Sequence, residues 1–94
     1  MADNSVALRQ LIEKHLLHRG RRNAICRVYL PVGLSHTYTV ILEEIGVREQ
    51  FFMDASQVEK FIQTSNPQFV LNEIRTAVRT LDRLVNKKKA ALQR

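Results

Sequence analysis

From Leu8 onward the apolar residues recur at helical spacing. Leu8, Leu11, Ile12 and His15 share one face, with Leu16 at its edge, while Arg9, Gln10 and Glu13 point away. Asn4 or Ser5 can cap this helix, which runs to about His18 before Gly20 stops it. The period then changes. In NAICRVYL, residues 23–30, Ala24, Cys26, Val28 and Leu30 alternate with Ile25, Arg27 and Tyr29, the pattern of a strand. Pro31 and Gly33 punctuate the chain after it.

Residues 35–54, SHTYTVILEEIGVREQFFMD, allow two readings. One is a helix capped by Ser35 and ended by Gly46. The other is a hairpin with strands 36–43 and 47–53 joined through Glu44, Ile45 and Gly46. The run Thr37-Tyr38-Thr39-Val40-Ile41 is β-branched and aromatic, and stiff side chains of this kind pack better on a pleated surface than in a helix. The hairpin is therefore the expectation. Asp54 caps a following helix over 55–64, whose apolar residues are Val58, Phe61 and Ile62.

Asn66-Pro67 breaks that helix and opens a last one, from about 67 to 90, with Pro67 suited to a first turn. Its apolar stripe is Val70, Ile74, Ala77, Val78, Leu81, Leu84 and Val85. The spacing of Ile74, Val78, Leu81 and Val85 suits pairing with a copy of the same helix, and it suits equally the covering of the sheet within one chain. Lys88 falls back on the apolar side, so tight packing should end near Val85 and residues 87–94 should fray as a basic tail. The expected fold is one α+β domain over residues 1–94, in the order α-β-β-β-α-α. A small antiparallel sheet packs against helices, and the long C-terminal helix helps to form a homodimer through Ile74, Val78, Leu81 and Val85.

Composition supports a folded chain. Hydrophobic residues make up 45% of the 94 and charged residues 26%, which is globular rather than disordered. A domain this small gains from burying further surface in an oligomer. The single cysteine, Cys26, excludes an intrachain disulfide and a cysteine-based zinc cluster. The stretch MADNSVALRQ is unlike a secretory signal, and no apolar run is long enough to span a bilayer, so the expected location is cytoplasmic, or nuclear in a eukaryote.

Charge changes the picture more. The net value is +6, unevenly spread. Residues 1–30 carry six basic and two acidic groups, 31–64 two and five, and 65–94 seven and two. With Ile74 at the centre of the apolar face, Arg75, Arg79, Arg83 and Lys87 lie roughly 100° to 220° round the helix, a slanting row mainly opposite the core. Only Asp82 stands near to compensate them. Such a row suits a phosphate backbone, which gives affinity without base specificity; it is equally the wet face of a helix whose terminal cations favour the dipole. Arg19, Arg21 and Arg22 around Gly20 form a second cluster, and arginine forks suit phosphate or carboxylate. Tyr29 and Tyr38 could stack on bases from an outer sheet face, although core packing is the simpler account of both.

Candidate chemistry is thin. His15, His18, Cys26 and His36 could in principle ligate zinc, but His15 and Cys26 sit at core-facing positions. No third group is evident to orient a cysteine–histidine pair, and Glu43 and Glu44 point to opposite faces of a strand. Walker, dinucleotide and nucleophile-elbow motifs are absent. The expectation is a non-catalytic, cofactor-free protein that binds DNA or RNA phosphates through Arg75, Arg79, Arg83 and Lys87, aided by Arg19, Arg21 and Arg22. The alternative is a protein-interaction module, such as an adaptor, assembly factor or inhibitor, whose exposed apolar strand or acidic middle meets another protein.

Overall fold

A computed structural model describes residues 4–93. The element order is α1 (Asn4–His18), β1 (Ile25–Tyr29), β2 (Thr37–Glu44), β3 (Val47–Asp54), α2 (Ala55–Thr64) and α3 (Gln68–Leu92). This is the α-β-β-β-α-α fold expected from the pattern, with the hairpin rather than the helix over 35–54. The strands form one antiparallel meander in the order β1-β2-β3. Helix α1 lies against β1 and α3 against β3, while α2 packs between the two helices and the end of β3. All three helices therefore cover one face of the sheet, and the other face is left open.

Register explains which side chains the helices meet. Val40 pairs with Val28 and Phe51, and Leu42 with Cys26 and Glu49, so alternate residues of each strand face the helices. Tyr38, Val40, Leu42 and Met53 from the sheet join Leu8, Ile12 and Leu16 of α1, Val58 of α2 and the α3 stripe in one core. The α1 face is rotated slightly from its sequence reading. Leu16 is central and buried, whereas Leu11 and His15 flank it and are only partly covered. The described helix begins at Asn4, so Asn4 and Ser5 lie in its first turn rather than ahead of it as a cap.

Three local devices fix the chain path. Gly20 takes φ +76°, and the Arg21 amide donates to the Leu16 carbonyl at 2.8 Å, a left-handed helix end that turns Arg21 back towards the body. The Asp54 carboxylate accepts from the Ser56 amide at 3.0 Å and caps α2 as expected. Pro67, at φ −68° and ψ −11°, already has helical torsions immediately before α3 begins.

The β2–β3 turn has two residues, Ile45 at φ +45° and Gly46 at φ +77°, between the paired Glu44 and Val47. Positive φ at both positions matches the twist of a tight hairpin, but it strains a β-branched residue. A Cβ at Gly46 would also sit 3.1 Å from the Lys88 ammonium, a tight contact from which this flexible side chain would have to give way. Ile45→Asn is expected to stabilise the fold by about 1 kcal/mol, since asparagine tolerates the left-handed region at lower cost. A shift of the urea midpoint to higher concentration would register it.

Candidate functional site

Helix α3 presents two opposed surfaces. Ile74, Val78, Leu81 and Val85 are each at most 1% exposed, buried by their own chain against the sheet and α1. The stripe expected to dimerise is therefore consumed within the chain and has no surface left to offer a second copy. Arg75, Arg79, Arg83 and Lys87 are all exposed, as their angular positions require. Among the described residues, none of these four enters an ion pair. The last buried residue of the helix is Val85; beyond it α3 stays helical to Leu92 with its side chains exposed.

The three arginines around Gly20 have separate fates. Arg21 is drawn inward, where its guanidinium pairs with Asp82 on α3 and with Glu44 at 3.1 Å on β2. Glu44 needs that partner, because β-strand alternation turns it to the core side with Tyr38, Val40 and Leu42 and leaves it buried. Asp82 also accepts from Arg19 Nε at 2.9 Å. Arg21 thus holds α1, α3 and β2 together, which removes it from the open-loop position expected of it. Arg22 stays exposed. Arg19 is half exposed and serves both roles, gripping Asp82 while edging the surface.

That surface is where the two basic groups meet. A cleft of about 130 Å³ between α1 and α3 is lined by His15, Arg19, Arg75, Val78 and Arg79. A second depression continues along α3 past Thr76, Arg79, Thr80 and Arg83. The Thr80 hydroxyl donates to the Thr76 carbonyl at 3.0 Å. Burial, and then the positive charges of Arg75, His18 and Arg19, lower the His15 pKa below its usual value, so His15 is neutral at pH 7. Asp82 is already occupied by Arg19 and Arg21. Arg75 and Arg79 therefore leave unpaired positive charge in the cleft, at the head of an exposed row of cations.

The remaining candidates fall elsewhere. Cys26 packs under α1 on the core side, where burial and then the Glu13 charge push its thiol pKa up to about 12, so it is held protonated and unreactive. Among the described residues no three histidine, cysteine or acidic side chains gather as a metal site. Tyr38 is a core residue; Tyr29 lies exposed on the open sheet face, as does Phe52, both paired across the strand to Thr39.

Two features escape a reading of the sequence. The Asp82 clamp joins residues more than sixty positions apart, and no local spacing signals it. The groove between β3 and α3 was foreshadowed only by small polar residues, Asn72, Thr76 and Thr80, recurring every four positions beside the apolar stripe. No family model, characterised protein or solved structure matches this chain. Among the described residues, no helix is long and apolar enough to cross a membrane.

Proposed function

We propose that this protein is a non-catalytic nucleic-acid-binding accessory protein, cytoplasmic or nuclear, that contacts phosphates as a homodimer. The observation that carries this reading is the cleft where Arg19, in the turn after α1, joins Arg75 and Arg79 of α3 at the head of the unpaired cation row. Residues 75 to 87 rise about 18 Å along the helix, the axial length over which one strand of a duplex presents about five phosphates. Arginine forks at the cleft and single cations along the row supply positioning contacts; they carry no base code. Arg22 adds to the field from the neighbouring loop, and Arg21 contributes by holding Asp82, on which Arg19 is anchored.

Salt-dependent binding of duplex DNA and single-stranded RNA tests this reading, comparing wild type with Arg75, Arg79 and Arg83 all changed to glutamine. For the duplex, losing three phosphate contacts should flatten the slope of log affinity against log salt by about 2.7. Absence of binding to either polymer near physiological salt, or an unchanged slope in the variant, sinks the proposal. In that case a protein partner becomes the better reading, and one observation already favours it. The β1–β2 connection carries Val32 and Leu34, 80% and 96% exposed, next to an open sheet face bearing Ile25, Tyr29 and Phe52.

A further inference from the structure

We infer that the chain self-associates along β3, two copies joining their sheets edge to edge and closing the groove between β3 and α3. This rests on the homodimer part of the reading above and replaces its buried stripe with a surface that is free.

The sheet has two outer strands, β1 and β3, and they differ as edges. β1 is five residues long and is followed at once by Leu30 and Pro31, which cut its pairing short. β3 is eight residues long and pairs with β2 without interruption from Val47 to Asp54, so it has neither a bulge nor a proline to blunt it. Its outer row of backbone donors and acceptors meets no further strand among the described residues. An edge of that length is a template for another strand.

Beside this edge, the flank of α3 that carries Asn72, Thr76, Thr80, Leu84 and Lys88 at four-residue steps forms the far wall of a groove. At one end, about 310 Å³ is bounded by Phe51, Phe52 and Ala77 and by the acids Glu49 and Glu73. At the other end, about 530 Å³ is bounded by Val47, Leu84 and Leu92 and by the cations Arg48, Lys87 and Lys88. The two depressions thus combine apolar and polar walls beside β3, with acids at one end of the strand and cations at the other.

That polarity selects the occupant. A two-fold axis through the middle of β3 reverses one groove against the other, so the acidic end of each meets the basic end of its neighbour. Antiparallel pairing in a continuous sheet also requires facing residues to point the same way, which places the axis on a residue rather than between two. Centred on Phe51, it sets Arg48 opposite the partner's Asp54; centred on Gln50, it sets Arg48 opposite the partner's Phe52. Either register gives Arg48 a favourable neighbour. A foreign strand of single charge would be matched at one end of the groove and repelled at the other.

Charge exchange tests the interface while leaving Arg75, Arg79, Arg83 and Lys87 untouched, so nucleic-acid binding is judged separately. Sedimentation equilibrium is run on wild type, on Glu49→Lys/Glu73→Lys, on Lys88→Glu, and on an equimolar mixture of the two variants. Circular dichroism confirms that each is folded. The expected result is a wild-type dimer, two monomeric variants, and a dimer restored in the mixture. A wild-type monomer at every concentration overturns both the homodimer and this interface. A wild-type dimer that survives in both variants, or variants that dissociate and are not restored by mixing, overturns the interface alone.

Discussion

Replacing Asp82 with alanine is expected to cost about 3 kcal/mol of stability, at the lower end of the range for breaking a buried ion pair. The reason lies in what remains behind. Arg21 has a largely buried side chain and would keep only Glu44, so one guanidinium would carry its burial cost against half of its present partners. The Arg19→Ala change should cost under about 1 kcal/mol, because that side chain is half exposed and water replaces the lost contact. Urea unfolding followed by circular dichroism separates the two. Similar small shifts for both variants would show that the network contributes little.

The same clamp sets the response to acid. Burial alone would raise the Asp82 pKa, but hydrogen bonds from Arg21 and Arg19, with their charges, outweigh it and hold the carboxyl below its ordinary value. The hydrogen bond to Asp82 in turn raises the Arg21 pKa, so the arginine stays charged throughout. An acid whose folded pKa lies below its unfolded one contributes stability above the unfolded value of about 4, and loses it as pH falls through the folded value. Wild type should therefore lose more stability on acidification than Asp82→Ala, and the two should converge in strong acid.

Local chemistry explains how much of this molecule was legible in its sequence. The hairpin over 37–54 follows from β-branched residues that strain a helix, and the core face of β2 follows from alternation at Tyr38, Val40 and Leu42, with Ile41 buried on the opposite face of this central strand. The inward and outward faces of α3 follow from helical periodicity in the same way. Arg21 departs from its sequence expectation for a physical reason. Periodicity assigns a loop arginine to solvent, but the left-handed turn at Gly20 swings this one against two carboxylates from distant segments. The cleft at His15, Arg19, Arg75 and Arg79 was likewise half visible: each cation could be read, while the packing of α1 against α3 that brings them together could not. The stripe on α3 was read in two ways because one spacing serves a sheet and a second helix equally well. Only the area available decides between them, and the sheet and the other helices of the same chain take all of it.

That decision has a direct consequence for the residues next to each other at the head of α3. Ile74→Ala is expected to cost about 3 kcal/mol, while Arg75→Gln should stay within about 0.5 kcal/mol. Ile74 is fully buried among side chains of its own chain, so truncation removes transfer free energy and opens a cavity that a close-packed core only partly refills. Arg75 is exposed and has no ion-pair partner among the described residues, so its loss removes nothing on which the fold rests. The cost at Ile74 should also persist in the Glu49→Lys/Glu73→Lys variant, whose copies are kept apart by charge. If Ile74→Ala were damaging in the associated protein and harmless in that variant, the stripe would belong to an interface after all, and the helix would have to leave the sheet to form it.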